Sequence, residues 1–184
     1  ALFLFTEHIG SCKRIRKRKV LKMLLLLQNV LYCILFILPV KLAVKNDGMN
    51  CLYFYPKAYI EEAQRRGLAD KDATMKRGKR FMVPFCIFIF VDLILIIALW
   101  NQVTDVKTAF WQAYLFLVVM NWFDGILLDR VWVAHSRIWV IKGMEGIPYI
   151  KPWKDVLVKR GLATILYLVI ALIVAGIVVL IGRI

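Results

Sequence analysis

Four long apolar runs, separated by polar stretches, dominate the pattern of hydrophobic and polar positions along the chain. They cover residues 23–40, 81–100, 109–128 and 162–182. Each run has about the 20 residues that an α-helix needs to cross ~30 Å of hydrocarbon. The pattern predicts an all-α integral membrane protein, a bundle of four transmembrane helices with short amphipathic helices on the cytoplasmic side.

The composition favours the same fold class. Hydrophobic residues make up 61% of the chain, and the mean hydropathy is +0.70. Soluble domains contain roughly 45–50% apolar residues, so a water-soluble core does not explain the excess. We therefore expect residues 23–184 to form a single polytopic membrane domain.

The basic residues predict the orientation of the bundle. The formal net charge is +14, and the segment 41–80 contains ten Lys and Arg, the segment 130–161 seven, and the turn 101–108 only Lys107. The positive-inside rule places 41–80 and 130–161 in the cytoplasm and 101–108 outside. The charge favours contact with anionic lipids, whereas no motif for binding nucleic acid accompanies it.

Residues 1–22 conflict with this orientation, because seven basic residues would precede a first span that should begin outside. The codons of Arg18 and Lys19 can form a purine-rich ribosome-binding sequence shortly before Met23. We hypothesise that the natural protein begins at Met23, which removes seven basic and one acidic residue and lowers the net charge from +14 to +8. This hypothesis favours a bacterial plasma membrane.

The two basic segments, 41–80 and 130–161, are the first candidate for a functional region. Tyr53–Tyr55 lie beside Lys57, a combination that suits the headgroup region of a membrane. Arg130, Arg137 and Lys142 are the candidate contacts for an anion or a headgroup. The sequence favours a non-enzymatic membrane component that binds anionic lipid or a partner, the latter including a membrane subunit or a second copy of the chain.

Asn121 to His135 carries most of the polar groups at membrane depth. On an α-helix, Asn121, Asp124 and His135 share one face, whereas Asp129, five positions after Asp124, does not share it. Asp124, Asp129 and His135 are candidate catalytic residues. Asp124 and Asp129 could hold Mg²⁺ against a phosphate group. The second candidate function is therefore a metal-dependent enzyme acting on a phospholipid or polyprenyl phosphate; no motif indicates any other cofactor.

Short parts of this stretch resemble two families of membrane enzymes. Asn121, Asp124 and Asp129 are similar to the Asn and two Asp of membrane prenyltransferases, but that motif spaces its Asp residues by four. Asp124 and Gly125 resemble the start of the motif of CDP-alcohol phosphotransferases, whose Ala-Arg and later Asp pair are missing here. The resemblance covers fewer than ten residues, and no family follows from it.

Asp92 lies near the middle of the second run, about 17 Å along the helix from its start at Phe81. Ionisable groups at this depth are expensive and are often functional. Gln28 and Asn121 fall at similar heights, so a hydrogen bond between helices is one interpretation. The other is a third candidate function, a proton- or cation-coupled transporter or channel subunit that uses Asp92, working as an oligomer.

Overall fold

The computed structural model describes the backbone of residues 2–183 and the side chains of residues 21–183. The described chain is all-helical, and four helices are long and apolar enough to span a membrane. Their spans are Leu21–Val44, Lys71–Trp100, Val106–His135 and Trp153–Ile181. The all-helical class and the four candidate spans are thus confirmed. The hypothesis about residues 1–22 falls almost entirely outside the described side chains and stays a hypothesis.

The helices follow in the order α1 (Leu2–Val44), α2 (Lys57–Arg65), α3 (Lys71–Leu95), α4 (Val106–Phe123), α5 (Val133–His135) and α6 (Trp153–Ile181). Short 3-10 segments lie at Gly48–Phe54 and Arg137–Trp139. Segments of π-helix continue α3 over Ile96–Trp100 and join α4 to α5 over Asp124–Trp132.

The helices that contain the second and fourth spans extend beyond the predicted apolar runs at their basic ends. The helix of the second span begins at Lys71, where the Asp70 carboxylate accepts hydrogen bonds from the next amides and caps the helix. The helix of the fourth begins at Trp153 and runs through Gly161 without a break. Charged residues lower the hydropathy of a helical turn without interrupting its backbone bonds, so these two helices continue past the ends of their apolar runs.

Small side chains let α4 and α6 pack closely along most of their length. Ala109 and Ala113 on α4 and Ala171 and Ala175 on α6 are all fully buried. Close approach between small residues is the usual way in which membrane helices associate. Large apolar side chains cover the outer surface of α6, as expected for contact with lipid.

The segments 41–80 and 130–161 lie together at one end of the bundle, which we call the basic end. The Tyr55 hydroxyl donates a hydrogen bond to the Trp139 carbonyl oxygen at 2.7 Å. The Arg66 Nη1 atom donates to the Gly143 carbonyl oxygen at 2.7 Å. These bonds join the two connecting segments, so the segments pack against each other at the basic end.

Candidate functional site

The π-helical segment Asp124–Trp132 brings two acidic side chains onto one face of the third span. In a π-helix each amide bonds to the carbonyl five residues earlier, as the Val133 amide does with the Leu128 carbonyl. Side chains five positions apart therefore lie about one turn apart on the same side. The expectation that Asp124 and Asp129 do not share a face was wrong, because it assumed 3.6 residues per turn.

Arg160 on α6 bridges these two carboxylates. Its Nη1 atom lies 2.6 Å from Asp124 Oδ2, and its Nη2 atom lies 2.8 Å from Asp129 Oδ2. The Arg160 residue is only 7% exposed. A buried guanidinium needs anionic partners, and its planar fork suits two carboxylates at once. The two acids therefore serve as the counterions of Arg160.

Asn121 links α4 to α6 by hydrogen bonds next to the cluster of Asp124, Asp129 and Arg160. Its Nδ2 atom donates to the Arg160 carbonyl oxygen at 2.9 Å and to the Thr164 hydroxyl at 3.3 Å, while Arg160 Nη1 donates to Asn121 Oδ1 at 3.3 Å. Asn121 is 1% exposed. A buried amide bonded in this way holds two helices at one height.

Lys151 completes the cluster from the segment between α5 and α6. Its Nζ atom lies 3.3 Å from Asp129 Oδ1. The Lys151 carbonyl oxygen accepts a hydrogen bond from Arg130 Nη1 at 2.7 Å, and the Arg130 guanidinium lies 4.3 Å from the centre of the Trp153 ring. Arg130 thus positions the segment that carries Lys151, and it does not itself line the cavity described next.

A cavity of about 430 Å³ lies at the basic end, next to the charged cluster of Asp124, Asp129, Lys151 and Arg160. Aromatic and other apolar side chains form most of its wall, including Phe36, Tyr53, Phe54, Phe85 and Trp132. Six charged side chains line it, namely Lys79, Asp124, Asp129, Lys151, Lys159 and Arg160. A concave apolar wall with a few convergent charges is typical of a binding site for a small amphipathic molecule.

The four cations in this lining differ in their partners. Arg160 and Lys151 form salt bridges with the two Asp residues. Among the described side chains, neither Lys79 nor Lys159 forms a salt bridge, and both are exposed. Two different helices, α3 and α6, therefore each contribute to the cavity lining a lysine without a salt-bridge partner.

The part of the cavity wall formed by Tyr53, Phe54 and Tyr55 is uncharged. Burial raises the pKa of the Tyr53 and Tyr55 phenols above their ordinary value. Both rings are therefore neutral near pH 7. Tyr53 also packs against Gly78 of α3, where a Cβ atom would lie 2.8 Å from the Tyr53 Cβ. This glycine lets the aromatic segment sit close to the helix that carries Lys79.

The structure does not bring the remaining boundary residues into the cavity. His135 is exposed, and its Nδ1 atom lies 2.9 Å from the Val131 carbonyl oxygen of its own turn. Arg137 and Lys142 are also exposed and do not line the cavity. The three residues lie on the outside of the basic end.

The polar residues of the span interior are arranged differently from the sequence-based expectation. Gln28 is fully buried and exchanges hydrogen bonds with the Asn101 amide at 2.7 and 3.2 Å, and Asn101 also donates to Gln112 Oε1 at 2.9 Å. Asp92 Oδ2 is buried and has no hydrogen-bond partner among the described residues. A hydrogen bond from Asp92 to Gln28 or Asn121, one of the two interpretations, is not present among the described residues, where Gln28 bonds to Asn101 and Asn121 to Arg160 and Thr164.

The two carboxylates are poorly placed to act as free metal ligands. Asp124 forms a salt bridge with Arg160, and Asp129 forms salt bridges with Arg160 and Lys151; a Mg²⁺ ion would have to displace these cations. Among the side chains that the structure describes, no three His, Cys, Asp or Glu residues form a group that could hold a metal ion. The metal-dependent enzyme stays a prediction.

Four residues of the site were not predicted individually, because the sequence pattern marked them only as orienting charges: Arg160, Lys79, Lys151 and Lys159. One signal was present for Arg160. If residues 153–181 form one uninterrupted helix, Arg160 lies one turn before Thr164 and inside the start of a span. A charge in that position needs a partner, and the nearby acids of the third span were the available ones.

Comparisons with known proteins assign no family. No protein-family model, no curated protein and no solved structure matches the chain.

Proposed function

We propose that the protein is a non-enzymatic membrane protein that binds the headgroup of an anionic lipid in the cavity at its basic end. The observation that carries this proposal is the pair of unneutralised ammonium groups, Lys79 and Lys159, in one aromatic-walled cavity. A concave site lined by cations without carboxylate partners attracts anions electrostatically. We expect a bound anion to contact both ammonium groups.

The rest of the lining supports a lipid as the source of that anion. Phe36 on α1 and Met82 and Phe85 on α3 extend the cavity along the apolar part of the bundle. An amphipathic ligand could place its charged group between the two lysines and its chains along these side chains. A free inorganic anion would leave this apolar wall unused.

The location of the cavity fits the same ligand. It lies where the charged first turns of α3 and α6 meet their apolar spans, the depth at which lipid phosphates lie in a bilayer. By the positive-inside rule the basic end faces the cytoplasm, the side on which a polybasic surface meets anionic lipid in a bacterial plasma membrane.

The proposal is tested by thermal unfolding of the purified full chain in detergent with added phosphatidylglycerol or zwitterionic phosphatidylcholine. A ligand that binds only the folded state stabilises it by ~2.7 kcal/mol at a hundred times its Kd. We expect phosphatidylglycerol to raise the apparent Tm, and phosphatidylcholine to leave it unchanged.

The matched variants separate the cavity from the general charge of the surface. Lys79→Gln with Lys159→Gln removes both unneutralised cations of the cavity and should abolish most of the shift. Lys76→Gln with Lys154→Gln removes the same charge from the same two helices at exposed positions outside the lining, and it should retain the shift. Equal losses in the two double variants would mean unspecific surface attraction and would overturn the proposal.

A second candidate function, proton- or cation-coupled transport, is favoured by one observation. The Asp92 carboxyl group is buried in an apolar span, and its Oδ2 atom has no hydrogen-bond partner among the described residues. Such a group can take up and release a proton or a cation. We expect this function, if present, to show as flux in liposomes that Asp92→Asn abolishes; unchanged flux in that variant removes Asp92 from the pathway.

A further inference from the structure

We infer that the cavity selects a phosphate group carrying two negative charges, a phosphate monoester or diphosphate on an apolar chain, over the singly charged phosphodiester of most membrane lipids. This inference rests on the proposed function and narrows its ligand.

The residues that line the cavity carry an excess of positive charge. Four cations and two carboxylates line the cavity. Both carboxylates lie within ion-pair distance of Arg160, at 2.6 and 2.8 Å, so by formal charge they offset two of the four cations. The lining thus carries a net charge of +2, which a phosphodiester would only half neutralise.

The two remaining positive charges come from different helices. Lys79 comes from α3 and Lys159 from α6, so they approach a ligand from different walls. A monoester or a terminal phosphate of a diphosphate offers three unesterified oxygens, and a diester only two. A group with more free oxygens can meet both ammonium groups and still accept from a neighbouring donor.

Arg160 would otherwise be the natural phosphate ligand. Its Nη1 and Nη2 atoms are held by the two Asp residues, and its Nε atom is buried without a partner against Gly125. We therefore expect Lys79 and Lys159 to bind the phosphate group. Lysines act as compact point charges without a fixed planar geometry. A site built from point charges discriminates mainly by the charge of its ligand.

The experiment compares apparent affinities of the full chain in detergent micelles for phosphatidic acid, phosphatidylglycerol and glycerol 3-phosphate. We expect phosphatidic acid to bind about fivefold more tightly than phosphatidylglycerol, the upper end of the effect of one additional exposed charge pair. In the Lys79→Gln and Lys159→Gln double variant this ratio should fall below about twofold, while the Lys76→Gln and Lys154→Gln control keeps it. The single variants Lys79→Gln and Lys159→Gln, both at exposed positions, replace the double variant where it does not fold.

The outcomes separate this inference from the proposed function. Equal binding of both lipids, lost in the lysine double variant, would overturn the preference for two charges and leave lipid binding standing. Binding of neither lipid would overturn both. Glycerol 3-phosphate binding as tightly as phosphatidic acid would support the doubly charged phosphate while assigning it to a soluble molecule, and would overturn the role of the apolar chain.

Discussion

Gly125 of the third span lies directly against the side chain of Arg160 on α6. A Cβ atom at residue 125 would come within 2.8 Å of Arg160 Nε and 2.9 Å of Arg160 Cγ. Contacts this short do not occur between real side chains, so only glycine lets Arg160 pass to reach both Asp124 and Asp129. The close approach of these two residues makes the charged cluster possible.

The first prediction follows from this contact. Gly125→Ala should destabilise the protein by about 1–3 kcal/mol, the usual cost of overpacking a buried site. The buried Arg160 side chain has little room to move, because both acids hold its far end. Thermal unfolding of the full chain in detergent measures the effect.

Gly161→Ala is the matched control, since residue 161 adjoins Arg160 on the same helix and a Cβ atom there would meet nothing within 4 Å. Alanine within a helix is favoured over glycine by roughly 0.5–1 kcal/mol, so this variant should be as stable as the parent or slightly more stable. A Gly125→Ala protein with the same Tm as the Gly161→Ala control would contradict the close packing of residue 125 against Arg160.

The second prediction concerns the charges of the cluster. Arg160→Met leaves Asp124 without its cation and Asp129 with Lys151 alone, so it should destabilise the protein by about 3–5 kcal/mol. Adding Asp124→Asn and Asp129→Asn removes the uncompensated charges. The triple variant should therefore recover much of the lost stability in the same unfolding assay. A triple variant that is less stable than Arg160→Met would show that the carboxylates are stabilised by groups other than Arg160.

The third prediction is a dependence on pH at Tyr55. The phenol is buried and donates to the Trp139 carbonyl oxygen, and burial raises its pKa above the ordinary value of 10.0. The folded state therefore favours the neutral ring. Its contribution to stability is fully present below about pH 10 and is lost as the pH rises from there toward the raised pKa.

Tyr55→Phe isolates this contribution. At pH 8 the variant should be less stable by about 1 kcal/mol, the usual net value of one hydrogen bond. As the pH rises above 10, the parent protein should lose stability faster than the variant, so the difference between their free energies of unfolding should shrink. A difference that stays constant from pH 8 to pH 11 would contradict a buried, neutral Tyr55.

The fourth prediction addresses metal binding by Asp124 and Asp129. Because both carboxylates are engaged by Arg160 and Lys151, Mg²⁺ or Mn²⁺ at millimolar concentration should leave the apparent Tm unchanged. Comparison of the parent with Asp124→Asn checks this expectation. A metal-dependent rise in Tm that disappears in Asp124→Asn would favour the metal-dependent enzyme over the lipid-binding protein.

Part of the candidate site was predictable from single residues. Asp124 and Asp129 were selected because acids at membrane depth are costly, and the structure places both in the charged cluster. His135 was selected for its position on an α-helical wheel, and the π-helical turns before it leave it on the outside. Hydrophobic periodicity carries no mark of a change from α- to π-helical hydrogen bonding, so an α-helical wheel could not give the position of His135.

The amino-acid sequence by itself determined the helical class, the four apolar spans and the grouping of basic residues into two segments. These properties depend on the length and local composition of each run, which sequence reports directly. Only the tertiary structure decided that Arg160 bridges Asp124 and Asp129, and that Lys79 and Lys159 line one cavity. Such contacts join residues far apart in the chain, and they depend on how the backbone turns and how closely the helices pack.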